Sequence, residues 1–245
     1  MATKKKKVPV KKVVAQKKLA RKRVSRKTRG VSFSSKNLRR LNPRHHLKYK
    51  ICVSGASETG HCSKDAIALA EATGREIALA GMVLVTGATI GIPYWAAKGA
   101  KEAGGMVIGL SPASSEISHV KTYRLPTDYH DLIVYTGFEY SGRNLLLTRS
   151  SDAVITICGG IGTLNEFTIA YEDHKPNGVL EGSGGAADMI REILIRSKRG
   201  YQKTVFSSEP KALIKKLVPI IKTKEAEIYS SSGYKRAYRD ERNKA

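Results

Sequence analysis

From Tyr49 to about residue 222, short apolar runs alternate with longer segments patterned as helices. No other feature of the chain constrains its fold as much. The runs are Ile51–Val53, Met82–Val85, Met106–Leu110, Leu132–Tyr135, Ala153–Ile157, Gly178–Leu180 and Thr204–Phe206. Their nearly unbroken apolar character is that of strands covered on both faces. Between them the sequence predicts helices over 63–80, 93–104, 138–151, 163–174, 185–198 and 209–222. The first carries Ile67, Ala70, Gly74 and Ile77 at spacings of three and four, with charges on the other faces. Connections of this length allow crossovers. The predicted class is therefore α/β: a doubly wound, mainly parallel, Rossmann-like sheet of about seven strands with helices on both faces. Ligands of such sheets bind beyond the carboxyl ends of the strands.

Charge divides the chain into three parts. Residues 1–50 hold 20 Lys or Arg and no Asp or Glu, and residues 222–245 hold 7 basic and 4 acidic side chains, leaving 17 of each sign between them. The net charge of +23 is thus carried almost wholly by an N-terminal arm. The expected organisation is a basic, disordered arm at 1–48, one domain at 49–222 and a C-terminal tail at 223–245 that carries no functional signal. Clusters such as Lys4–Lys7, Arg21–Arg23 and Arg39-Arg40 suit non-specific contact with nucleic-acid phosphates, whereas Phe33 and Tyr49 offer little base stacking. A solubility tail or a targeting segment accounts for the same composition. The chain has no run of 18 apolar residues and no secretory leader, so a cytoplasmic protein without a membrane partner is expected.

The cysteines are Cys52, Cys62 and Cys158, an odd number with no C-x-x-C pair, and the histidines outside the arm (His61, His119, His130 and His174) are dispersed. Reduced, mostly buried thiols are expected, with neither a disulfide nor a metal site.

Four glycine-rich turns follow predicted strands: Gly55–Gly60, Gly87–Gly91, Gly159–Gly162 and Gly182–Gly185. The first has the glycine spacing of a Walker A loop, but His61 and Cys62 stand where that loop needs Lys and Ser or Thr. No turn reads G-x-G-x-x-G, and no G-x-S-x-G elbow occurs, which removes the usual signatures of dinucleotide and serine-nucleophile chemistry. What such turns share is backbone N–H groups that an anion can approach, next to the positive end of a helix dipole. In the third turn, Thr163-x-x-Glu166 also has the spacing of a capping box. The two readings are compatible, since a helix start with free N–H groups is what an anion site uses. Arg143, sixteen residues before Gly159, would on its own be a solvated side chain on a helix.

Cys158-Gly-Gly-Ile-Gly-Thr-Leu-Asn-Glu166 resembles the P-G-G-x-G-T-x-x-E hallmark of the lonely guy (LOG) family of cytokinin-activating nucleotide phosphoribohydrolases, also known as possible lysine decarboxylases. Arg143 stands at the distance of that family's essential Arg, Arg149-Ser-Ser-Asp152 fits its approach to the fifth strand, and Val85–Pro93 resembles its second glycine-rich turn. Cys158 replaces the hallmark Pro, and Asn165 replaces a Glu of many of the enzymes. Arg143-Asn144 and Lys175–Gly185 look closer to the molybdenum-cofactor-carrier branch of the wider SLOG superfamily, which also includes the single-stranded-DNA-binding DprA proteins.

The resemblance implies a nucleoside 5′-monophosphate or similar phosphorylated ligand, held by Gly159, Gly160, Gly162 and Thr163, with Gly87, Thr89 and Gly91 closing the other side. Gly55 and Ser57 would touch the rest of the ligand. Glu166 and Arg143 would be catalytic if the N-glycosidic bond is hydrolysed to free base and ribose 5-phosphate, the carboxylate stabilising an oxocarbenium-like state and orienting water. That chemistry needs no metal or cofactor. The alternatives are a non-catalytic carrier of a nucleotide or molybdenum cofactor, and a nucleic-acid-associated protein using the basic arm. A homodimer is implied by the resemblance.

Overall fold

Each of the seven apolar runs overlaps a strand: β1 (Lys50–Gly55), β2 (Val83–Thr86), β3 (Val107–Ser111), β4 (Leu132–Tyr135), β5 (Ala153–Ile157), β6 (Asn177–Leu180) and β7 (Thr204–Ser207). These belong to a computed structural model that describes residues 47–230. The expected basic arm, apart from Leu47 and Lys48, and the tail beyond 230 lie outside the described residues. The α-helices are α1 (Ala66–Leu79), α2 (Ile92–Glu102), α3 (Glu139–Ser150), α4 (Ile161–Glu172), α5 (Gly185–Arg196) and α6 (Pro210–Ser230). Two differences from the sequence reading stand out. A single π-helical turn, Ser118–Thr122, interrupts the β3–β4 connection, and α6 continues eight residues beyond 222.

All strand pairs are parallel, and the sheet order is β4-β3-β2-β1-β5-β6-β7. Alternation along the strands divides the core between two layers of helices. Ile51 and Val53 of β1 pack with Ile155 and Ile157 of β5 on one face, against Ile77 of α1, Ala96 and Ala100 of α2 and Leu213 and Leu217 of α6. Cys52, Val85 and Val154 turn to the other face, where Leu147 of α3 and Ala170 of α4 meet them. The central strands β2, β5 and β6 are buried along their length, whereas β4 at the sheet edge is partly exposed. Among the described residues no helix is long and apolar enough to cross a membrane.

This order contains one reversal. The chain winds outward from β1 to β4 and then returns to place β5 beside β1, so the connections leaving these two neighbours pass to opposite faces. A crevice opens at their carboxyl ends. Gly55 pairs with Ile157 across β1 and β5, so the first and third glycine-rich turns leave the sheet side by side.

Candidate functional site

At that crevice lies a cavity of about 340 Å³, of a size that takes a small molecule. The first turn lines it with Gly55, Ala56, Ser57 and Glu58, followed by His61; the second turn lines it with Thr89. Helix α3 contributes Tyr140, Arg143 and Asn144, and the third turn with α4 contributes Gly160, Gly162, Thr163 and Glu166. Tyr140, His61 and Glu58 join the site without having been expected from the sequence. Their polar side chains carry no spacing signal until the sheet order brings four connections together.

Gly159, Gly87 and Gly91 do not line the cavity; their work is packing. A Cβ on Gly87 would lie 2.0 Å from Arg143 Nη1, so the bare backbone there makes room for the guanidinium. Gly91 combines a φ of 73° with a backbone so close to the first turn that a Cβ would meet the Ala56 carbonyl at 2.3 Å. Gly159 lies under the Thr163 side chain. The second turn is thereby held against the first. The amide of Ile92 donates to the Ala56 carbonyl at 2.8 Å, and Pro93 has no N–H to offer.

The start of α4 opens on the cavity. Its N-cap is Gly160, with no side-chain cap among the described residues, and the first intrahelical bond runs from Leu164 N to Gly160 O at 3.0 Å. The N–H groups of Ile161, Gly162 and Thr163 are left without partners within the helix, at its positive end. A side chain at Gly160 or Gly162 would meet only open space among the described residues. The expected capping box does not form. The helix begins at Ile161, which moves Thr163 into its first turn and leaves Glu166 too far along to reach back.

Glu166 instead turns inward. The Ser54 hydroxyl of β1 donates to Oε2, and Arg143 Nη1 lies 3.4 Å from Oε1. Asn144, its amide oriented so that nitrogen faces acceptors, donates to the same Oε1 at 2.8 Å. Arg143 and Glu166 are each only 6% exposed. Burial pushes the Glu166 carboxyl above its ordinary pKa, opposed by the charge of Arg143 and the hydrogen bond from Ser54. The solvated face expected of a lone helical Arg is thus excluded. Burial and the neighbouring Glu166 also raise the pKa of the Cys52 thiol, which lies beneath the site on β1.

The cysteine reading is corrected. Cys62 and Cys158, 96 residues apart, are joined in a disulfide with their Cα atoms 5.6 Å apart, and Cys52 is the free, buried thiol. The expectation failed because the pairing is made by the sheet: Cys62 follows the first turn, Cys158 precedes the third, and the two turns are neighbours. His61 lies in the same cluster, its Nε2 donating to the Gly159 carbonyl at 3.2 Å. Thiol and imidazole donors that looked dispersed along the chain are adjacent in space.

A doubly wound parallel sheet whose reversal point carries an uncapped helix start defines a Rossmann-like ligand-binding protein. The chain belongs to the SLOG cluster4 family, whose model matches residues 48–214. An uncharacterized protein of Archaeoglobus fulgidus is 32% identical over 139 residues, covering 54% of this chain and 86% of its own. Among solved structures, the chain is similar to the molybdenum cofactor binding protein from Rippkaea orientalis, with a TM-score of 0.58, 30% identity and coverage of 73% of this chain and 98% of that one. It is also similar to the molybdenum cofactor carrier protein from Chlamydomonas reinhardtii, with a TM-score of 0.56, 26% identity and coverage of 71% and 99%.

Proposed function

We propose that the cavity between β1 and β5 binds a nucleoside 5′-monophosphate or a similarly phosphorylated cofactor, and that the protein holds this ligand rather than consuming it. The observation that carries the reading is the start of α4: its first N–H groups have no helical partners, Gly162 and Thr163 among them line the cavity, and Gly160 and Gly162 leave room. The phosphate would rest on the amides of Gly160 to Thr163, with the hydroxyls of Thr163 and Thr89 at hand. Gly55 and Ser57 would border the remainder of the ligand. The likeness to proteins described as binding or carrying molybdenum cofactor supports a phosphorylated cofactor as the ligand class.

Hydrolysis of an N-glycosidic bond is the second reading. One observation favours it: Glu166, with Arg143 beside it, lines the cavity and has its pKa raised by burial. Against it stands the engagement of both carboxylate oxygens. Oε2 accepts from Ser54 and Oε1 from Arg143, so the protein already occupies the group that would orient water. Incubation with AMP and analysis for adenine and ribose 5-phosphate separates the readings. Binding without release is expected. Catalytic release that Glu166→Gln abolishes would establish the hydrolase.

The implied homodimer is assigned to the exposed apolar residues Phe138, Leu145 and Leu146 around α3 and Ile161 at the start of α4. Sedimentation velocity is expected to show a dimer for the wild type and a monomer for Leu146→Asp. The basic arm is proposed as a non-specific contact for nucleic acid.

A further inference from the structure

We propose that His61, Cys62 and Cys158 form a binding site for a thiophilic divalent cation such as zinc, available when the two thiols are reduced and lost when they close into the disulfide. One donor atom from each residue lies within 4.8 Å of the others. Zinc bonded to two thiolates at about 2.3 Å holds the sulfurs about 3.8 Å apart. Side-chain rotation on Cα atoms 5.6 Å apart accommodates that separation. The donor set, two thiolates and an imidazole, favours zinc over the oxygen-seeking magnesium and calcium.

The backbone holds these residues in place without help from the sulfur–sulfur bond. The Cys158 amide donates to the Ser183 hydroxyl at 2.8 Å, and the Cys158 carbonyl accepts from Ala187 N at 3.0 Å. Next to Cys62, Ser63 N donates to the Ser183 carbonyl at 3.0 Å, and Cys62 itself forms an antiparallel bridge with Gly184. The fourth glycine-rich turn, which has no place in the ligand cavity, thus clamps both cysteine-bearing segments. Opening the disulfide leaves two thiols still facing each other.

His61 supplies the third donor from an exposed position, and the Gly159 carbonyl near its Nε2 is the kind of backbone partner that orients imidazole ligands. Three protein ligands leave a fourth position for water or for a donor atom of a molecule in the cavity, which His61 also lines. Cys158 has a φ of 51°, in the left-handed region that non-glycine residues rarely adopt. The thiol is kept there at a cost in backbone strain.

The exchange is balanced. A dithiol passes its two hydrogens to Cys62 and Cys158 and becomes a cyclic disulfide; zinc then replaces both thiol protons, which are released to solvent. In a reducing compartment the cysteine pair is held ready for the metal.

The test uses the full chain, reduced with dithiothreitol, freed of reductant without air, dialysed against zinc and analysed for metal content. About one zinc per reduced chain and almost none per oxidised chain are expected. Cys62→Ser and Cys158→Ser should lose the zinc, Cys52→Ser should keep it, and His61→Ala should bind it more weakly. Cobalt(II) in place of zinc should give thiolate charge-transfer absorption in the reduced wild type. Should a cysteine variant fail to fold, the comparison of reduced with oxidised wild type decides. Equal zinc uptake by the two wild-type forms, or a cobalt complex without thiolate absorption, would overturn the site.

Discussion

The guanidinium of Arg143 lies in the space that a side chain at Gly87 would occupy, with Nη1 2.0 Å from where the Cβ would stand. The second glycine-rich turn thereby serves the site indirectly, as the seat of the cation paired with Glu166. Gly87→Ala is expected to push Arg143 away from Glu166 and to cost about 1–3 kcal/mol, as overpacked cores do. Urea titration measures the loss, and AMP affinity should fall with it. A variant as stable as the wild type would show that Arg143 has another seat.

Removing the cation altogether should cost more. Arg143→Ala leaves a buried carboxylate without its partner, and such broken pairs lose about 3–5 kcal/mol. Glu166→Gln should be milder, since its single amide oxygen can still accept from Ser54 or from Arg143.

The pH dependence of Glu166 has a definite sign. Its folded-state pKa is raised, so its contribution to stability is fully present below the unfolded-state value and is lost as pH rises through the folded one. Urea unfolding from pH 4 to 7 should therefore show the wild type losing stability relative to Glu166→Gln as the pH rises. A difference that stays flat would mean that Arg143 and Ser54 cancel the effect of burial.

Gly162 allows stability and binding to be separated. It stands in the first turn of α4, where a Cβ meets nothing among the described residues, so Gly162→Ala should keep or raise stability by up to about 1 kcal/mol. The added methyl enters the space assigned to the phosphate. A higher melting temperature with weaker AMP binding is expected; unchanged affinity would move the phosphate elsewhere.

For the arm, removal of residues 1–48 should abolish binding to single-stranded and duplex nucleic acid, and the intact chain should bind with a steep loss of affinity as salt rises. Binding indifferent to the deletion would assign any nucleic-acid contact to the domain.

The strands were legible because buried parallel strands leave nearly unbroken apolar runs, and Ala153–Ile157 is buried at every position. Their order in the sheet was not, since an apolar run shows that a strand is covered without naming its neighbours. The same limit hid Ser54. A serine inside a strand gives no signal until a carboxylate 112 residues later is brought over it. Thr163 and Glu166 misled in the opposite way, their spacing matching a cap although the helix starts at Ile161. Arg143 is legible only through the LOG resemblance, because a lone Arg on a helix otherwise reads as a solvated side chain. The reason for Gly87 needed coordinates, because a glycine that makes room for a guanidinium reads the same in sequence as one that approaches a phosphate.

In the proposed function a phosphate is received at the start of α4. Isothermal titration of the full chain with AMP, ribose 5-phosphate and adenosine tests it most directly. Both phosphorylated compounds are expected to bind, and adenosine to bind at least about tenfold more weakly than AMP, a difference of about 1.4 kcal/mol. Adenosine binding as tightly as AMP would contradict it.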